Sequence, residues 1–457
     1  MIQRAIESFH PARQPWGTRK AYGQELVTAS TMPWAIALFE AGVVGVLAKT
    51  VFDVSNFGFA MISAAPMFAN LTSLFWARLA KGRAKAKFAG ALMSILLVVV
   101  ASVAFLPTNP WGAAGLVAVV VVGRCVMAGM VMVRSAIWRM NFPRGVRARL
   151  TSKFVLIATI ILAFVPFVVG PLIDLQPWTF RVIFPTLALV GVVGVLSFIR
   201  IRVRQEPQLL QSELEPHNDE DTPRRADGRP HNFISVLRED HHFRGYMTWQ
   251  FFAGIANMMG NVAFMLYFVE SIKERDDANT LGMVLGTTLP LLLATATLPW
   301  WSKLLDRWHI ARYRVAHGLT WVFGQASCFA VCLLYEQTQW VALFVLPMAI
   351  RGMMQGGGMI AWNLGHNDFA DKRLAALYMG IHQTLTGVRG AFAPFLGVWL
   401  LAGWQGFTWI GGEVPPWEGI GPQVFIITTL FAIVAWLGFM SLTQKLAAAG
   451  AGDASDG

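Results

Sequence analysis

FVLIATIILAFVPFVVGPL, residues 154–172, runs for nineteen positions without one ionisable or amide side chain. A helix rises about 1.5 Å per residue, so about 20 such residues span the roughly 30 Å of hydrocarbon in a bilayer. A soluble core breaks its apolar runs with polar residues at helix or strand period, and this one is unbroken. Stretches 91–106, 115–123 and 182–199 have the same character. Across all 457 residues, 55% are hydrophobic and 14% charged, against about 25% charged in an ordinary soluble domain. The chain reads as an all-α integral membrane protein.

Measured outward on that yardstick, transmembrane helices fall near 26–49, 57–77, 88–106, 112–133, 154–172 and 182–199. Six more fall near 246–269, 281–301, 315–335, 340–362, 377–401 and 424–442. The twelve divide into bundles at 26–202 and 244–445. An N-terminal segment (1–25), a polar linker (203–243) and a short tail (446–457) complete the chain. The tract between the sixes contains Gln205-Glu-Pro-Gln and Asn218-Asp-Glu-Asp-Thr-Pro-Arg-Arg, too polar to bury apolar area, and reads as a mobile linker.

Loop charge tests the count, because Lys and Arg accumulate in short cytoplasmic loops. Connections 2/3 (Arg78, Lys81, Arg83, Lys85, Lys87), 4/5 (Arg134, Arg139, Arg144, Arg147, Arg149, Lys153), 8/9 (Lys303, Arg307, Arg312, Arg314) and 10/11 (Lys372, Arg373) hold seventeen. The opposite connections hold four: Lys49, Arg181, Lys273 and Arg275. The alternation predicts a multi-pass protein of the cell membrane with both termini cytoplasmic. The first 24 residues have no hydrophobic stretch of signal-peptide length, so insertion is expected to rely on the first span.

The formal charge of +11 sits in clusters between apolar runs rather than along one polar face, which points to the lipid bilayer and away from nucleic acid. Cys125, Cys328 and Cys332 lie inside apolar segments and read as small core residues, with neither a disulfide framework nor zinc-ligand spacing. No cofactor or metal is implied.

The halves resemble each other. Residues 77–85 align with 306–314 at an offset of 229. Arg124 aligns with Arg351 at an offset of 227, which also pairs Gly129 with Gly356, Met132 with Met359, Phe142 with Phe369 and Gly170 with Gly397. Near-constant offsets at matching depth indicate duplication of a six-helix unit, the parallel repeat of many transporters.

On these residues the chain resembles the major facilitator superfamily, which has six plus six helices, cytoplasmic termini and a long central loop. The family's 2/3-loop signature is similar to Arg78, Gly82, Arg83, Lys85 and Lys87, with Ala77 at its acidic position. The second half carries Asp306, Arg307 and Arg312, with Ala311 in place of the glycine. The resemblance implies a cytoplasmic latch at these residues. Arg124 with Ala128-Gly129 is similar to the family's helix-4 arginine motif, and Gly170-Pro171 to a fragment of its antiporter motif.

Ionisable residues inside spans cost about 2.5–3.5 kcal/mol each on insertion scales unless paired or hydrated. Glu40 lies in helix 1, Arg124 in helix 4, Arg351 in helix 10, and His382, Gln383 and Arg389 in helix 11. Glu40 reads either as a carboxylate carrying a coupling proton or as a structural partner of Arg124. The arginines read as bidentate grips for a carboxylate or phosphate, or as partners of helix-end carbonyls and Glu40. One carboxylate against three guanidinium groups leaves +2, which favours an anionic or zwitterionic substrate. In helix 7, Gln250, Asn257 and Asn261 share a face and read as pathway lining or interhelical glue. Gly387, Gly390 and Gly397, around Arg389 and Pro394, read as packing and flexing positions. Gly356-Gly-Gly resembles a phosphate loop only superficially, having neither the following Lys-Ser/Thr nor a preceding strand.

The resemblance implies secondary active transport of a small-molecule solute by alternating access, with protons as the coupling ion if Glu40 titrates, and a monomer as the working unit. The alternatives are an efflux antiporter for hydrophobic compounds and a non-transporting sensor or scaffold. An enzyme is not expected: the nearest catalytic grouping, His366 with Asp368 and Asp371, falls in the 10/11 loop, where Asn367-Asp368-Phe369 mirrors Met140-Asn141-Phe142 of the first half.

Overall fold

A computed structural model of the chain describes residues 7–214, 231–370, 374–409 and 412–453. In chain order its first helices are α1 (Arg19–Ala37), α2 (Ala41–Thr50), α3 (Asn56–Leu71), α4 (Ser73–Ala80), α5 (Lys85–Ser102), α6 (Pro110–Asn141), α7 (Arg144–Leu175), α8 (Phe180–Phe198) and α9 (Glu206–Leu214). There follow α10 (Phe233–Glu239), α11 (His241–Ile272), α12 (Ala278–Met283), α13 (Leu289–Leu305), α14 (Ile310–Thr338), α15 (Val345–Leu364), α16 (Ala375–Ala402) and α17 (Val424–Asp453). Strands β1 (Phe407–Trp409) and β2 (Gly412–Val414) form one antiparallel hairpin between α16 and α17. Among the described residues, eleven helices are long and apolar enough to cross a membrane. The span expected at 57–77 is α3 and α4, parted at Thr72, whose hydroxyl bonds back to the Ala69 carbonyl at 2.7 Å. The linker residues Asn218 to Arg225 and the 10/11 residues Asp371, Lys372 and Arg373 lie outside the described residues.

The chain forms two compact units, Met1–His217 with Lys273–Thr288, and Asn218–Ile272 with Leu289–Gly457. Within the first, α1 packs on α7 and α8, α3 on α6, and α5 on α6 and α8. Within the second, α11 packs on α16 and α17, α13 on α15, and α14 on α15 and α17. The two pairing patterns are the same, helix for helix, which gives the pseudo-symmetric bundles the repeat predicts.

Two features of the first unit position charge. The predicted span 26–49 is interrupted at residues 38–40, and Glu40 is the N-cap of α2 with extended backbone (φ −64°, ψ 140°). A Cβ on Gly42 would overlap the backbone of Gly286 and the Thr287 hydroxyl, so the chain restarts as α2 where only glycine permits that approach. At the far end of α7, Asp174 caps α12: its carboxylate accepts the N–H groups of Asn279 and Thr280, both at 2.8 Å, and the Thr280 hydroxyl at 2.5 Å. Charge-assisted bonds at a helix N-terminus are among the stronger ones. Replacing Asp174 with Ala is therefore expected to cost about 1–3 kcal/mol, checked by chemical unfolding in micelles, with Asp174→Asn losing less.

Helices α6 and α7 outrun their predicted spans, so Arg134, Arg139 and Arg144 to Arg149 stand on helical turns rather than in a loop. Arginine is a good helix former, and a hydrocarbon yardstick stops at the first charge although the helix does not. The tract 203–243, despite its polar composition, contains α9 and α10. In α10, Asn232 and Ser235 form a capping box and Val236 is buried.

The second unit is assembled on small residues. Cβ atoms on Gly352 and Gly356 would overlap the Pro290 and Ala294 carbonyls of α13, and one on Gly397 would overlap the Met259 carbonyl of α11. Spacing of this kind lets membrane helices approach at backbone distance, so Gly356 and Gly397 are packing positions. Below them Phe243, Tyr246, Trp301, Ile310, Tyr313, Ile381 and Phe439 form one buried cluster.

Candidate functional site

In the first unit, the broken helix brings Glu40 to Arg124 of α6. Arg124 Nη1 lies 3.5 Å from Glu40 Oε1, and Nη2 donates to the carbonyl of Phe39. The break frees that carbonyl from helical pairing, and the guanidinium fills the vacancy. Of the two alternatives for Arg124, a grip on solute or a bond to helix-end carbonyls and Glu40, these contacts are those of the second. The side chains remain 12% and 29% exposed. Gly123, beside Arg124, lies against the Phe39 ring where a Cβ would overlap.

A second, drier pair joins α1 to α6. Glu25 of α1, 1% exposed, accepts Arg134 Nε at 2.5 Å and Trp138 Nε1 at 2.9 Å on one oxygen. Its other oxygen has no partner among the described residues. Arg134 also stacks on the Trp138 ring, 5.0 Å from its centroid. Sequence reading missed this pair because Glu25 falls one residue outside the predicted span and Arg134 was counted as a loop cation. A carboxylate on one flank of helix 1 and an arginine ten residues beyond Arg124 are the signal that could have found it.

In the second unit, Arg389 of α16 is 3% exposed. Its Nη1 donates to the Gln250 carbonyl at 2.6 Å and its Nη2 to the Thr386 hydroxyl at 3.1 Å. Gly254 makes room for it, since a Cβ there would overlap the guanidinium. His382 is fully buried, its ring 5.6 Å from that of Trp362. Gln383, the next residue, is exposed. Gln250 is buried, while Asn257 and Asn261 are half-buried and bonded to each other along α11. Arg351 is half-buried with Nη1 enclosed and unbonded among the described residues. Arg314, expected in the 8/9 loop, is instead 3% exposed inside α14, beside His317. Their spacing of three puts both on one helical face, a cue that loop counting overrode.

The 2/3 connection is tied down by α9. Glu213 accepts the Gly82 N–H at 3.0 Å and Lys85 Nζ at 2.6 Å, and Glu206 accepts the Lys85 N–H at 2.8 Å. Gly82 sits at φ +67°, a conformation that favours glycine. Arg78 is exposed, and Arg83 lies over the Phe88 ring at 5.7 Å. The second-half residues Asp306 and Arg307 are exposed and form no ion pair among the described residues, while Arg312 stacks on Trp308 at 4.7 Å.

Paired bundles of this topology, with ionisable side chains enclosed between their helices, define a multi-pass membrane protein of the transporter type. The chain belongs to the Major Facilitator Superfamily, whose model matches residues 26–394. No curated relative matches the chain. Solved structures share the fold over nearly the whole length. The nucleoside transporter NupG aligns with TM-score 0.61 at 11% identity, over 92% of this chain and 98% of that one. A bacterial homologue of the human lysosomal transporter Spinster, inward-facing and occupied, aligns with TM-score 0.64 at 12% identity, over 93% and 97%. A D-xylose-proton symporter aligns with TM-score 0.60 at 12% identity, over 92% and 96%.

Proposed function

We propose that this chain is a secondary active transporter that carries a small anionic or zwitterionic solute across the cell membrane by alternating access, coupled to protons at Glu40. The observation that carries the reading is the Glu40–Arg124 pair at the helix break. An ionised Glu40 holds Arg124. A protonated Glu40 releases the guanidinium to a solute carboxylate or phosphate, which it grips bidentately. Discontinuous membrane helices are where transporters of many folds place ion and substrate contacts. In the second unit, Arg351, at the equivalent position of the repeat, is a solute-gripping cation in its own right, with the amides of Gln383, Asn257 and Asn261 as polar lining. The fold shared with a proton symporter supports coupling of this kind.

In the same reading both termini are cytoplasmic, the chain works as a monomer, and Glu213 supplies the acid that the 2/3 latch lacks at Ala77. The test is a thermal-shift screen of the purified protein against nucleosides, sugars, peptides and organic anions, followed by flux in proteoliposomes. A stabilising anionic solute should show counterflow in wild type, and Arg124→Ala should abolish it. If only lipophilic cations move and Arg351→Ala is harmless, the substrate assignment fails. Reporter fusions at Thr108 and Arg144 are expected on opposite sides of the membrane.

A further inference from the structure

One cavity of the first unit is lined by cations without an acid. It has a volume of about 190 Å³ and lies where the start of α1, the end of α6 and the chain leaving α8 converge. Lys20 of α1 lines it together with Arg202 and Arg204, which follow α8. Among the described residues no carboxylate lines it, so three like charges share one recess. Lys20 and Arg202 are exposed and form no ion pair among the described residues. Arg204 donates through Nη2 to the Gly17 carbonyl, which anchors it beside the other two.

Two amides in the same lining have polar atoms to spare. Asn141 is 2% exposed, and its Oδ1 accepts the Arg204 N–H at 2.9 Å. Its Nδ2 is therefore a donor, enclosed and unmet among the described residues. Gln24 donates Nε2 to the Arg200 carbonyl at 3.0 Å, and its Oε1 is an unmet acceptor. Buried polar atoms without partners are costly and uncommon. The cations and the Asn141 donor suit an anionic oxygen, and the Gln24 acceptor suits a hydroxyl.

We infer that this cavity binds a phosphate ester of a polyol, with the phosphate among Lys20, Arg202, Arg204 and Asn141 and a polyol hydroxyl on Gln24. Three cations exceed what one carboxylate neutralises, and guanidinium forks match phosphate oxygens in pairs. A single water needs about 10–15 Å³ of such space, so 190 Å³ holds a phosphate together with a glycerol-sized ester. Two sources supply this chemistry: the headgroup of a glycerophospholipid and a soluble glycerol or sugar phosphate. Trp16, next to Gly17 and 85% exposed, favours the lipid, because tryptophan is enriched where membrane meets water. Basic recesses between membrane helices hold anionic headgroups in the same way. The inference goes beyond the transport reading and holds whether or not the chain moves a solute.

The experiment is thermal unfolding of the purified full-length protein. One arm uses mixed micelles in which phosphatidylglycerol replaces phosphatidylcholine at constant total lipid. The other uses lipid-free detergent in which sodium glycerol phosphate replaces sodium sulfate at constant ionic strength. The midpoint is expected to rise saturably with phosphatidylglycerol. Half-saturation should need roughly tenfold more lipid when Lys20→Gln and Arg202→Gln are combined. Both side chains are exposed, so this variant keeps its fold. Combining Arg144→Gln with Arg149→Gln removes two exposed cations of the same unit outside the cavity and should leave half-saturation unchanged. A rise with glycerol phosphate that weakens in the cavity variant supports the site and assigns it a soluble ester. A flat midpoint in both arms would overturn the inference. So would a cavity variant that responds like wild type, or a control variant weakened as much, which would mean diffuse attraction to the net charge of +11.

Discussion

Exchanging Glu40 for glutamine is expected to abolish accumulation of solute against its gradient while leaving exchange of labelled for unlabelled solute intact. Glutamine keeps the size of the side chain and an oxygen for Arg124, but it cannot gain or lose a proton at neutral pH. Arg124 retains its bond to the Phe39 carbonyl, so the break in helix 1 stays filled and the protein stays folded. Coupling free energies between two sites are typically about 1–3 kcal/mol, and the pH-driven accumulation ratio should fall by about 5–150-fold accordingly. Counterflow, which needs no proton, should stay within a few-fold of wild type. Undiminished accumulation by Glu40→Gln in proteoliposomes would remove Glu40 from the coupling step.

Truncating Glu25 to alanine should produce the largest loss of stability in the first unit. Removing one partner of a buried ion pair leaves the other desolvated and unmatched, at a typical cost of 3–5 kcal/mol. Arg134 keeps 17% of its side chain exposed and can turn toward water along its Trp138 stack, so a loss of about 3 kcal/mol is expected. Glu25→Gln, which retains an acceptor for Trp138 Nε1, should lose about half as much. Chemical unfolding in mixed micelles measures both, and an alanine variant as stable as wild type would mean that water already satisfies Arg134.

Hydrocarbon thickness is what made the chain readable. A run such as 154–172 has one physical explanation, and the predicted spans fall largely on helix, with the limits of α5, α8 and α16 close to those expected. The repeat was legible because duplicated packing needs the same small residues in both halves, as Gly129 and Gly356 illustrate. Spans that break or outgrow the membrane were not legible. Just past the interruption, Gly42 meets the backbone of Gly286, a partner more than two hundred residues away that no local pattern announces. The extra turns of α6 carry Arg134, and the start of α14 carries Arg314. A rule that assigns cations to loops placed both outside the bundle, although one matches Glu25 and the other is enclosed. Glu213 escaped notice because a polar tract offers no hint that its acids have fixed destinations.

Gly254 and Arg389 occupy one volume between them, since even a methyl group at 254 would meet the guanidinium. The coupling runs one way: a side chain at 254 requires the guanidinium to move, whereas loss of the arginine leaves the glycine undisturbed. Homologues that carry alanine or anything bulkier at 254 should have surrendered the arginine at 389, while those that keep the arginine should keep the glycine. A lineage holding both a bulky residue and the cation would need a differently spaced pair of helices to house them.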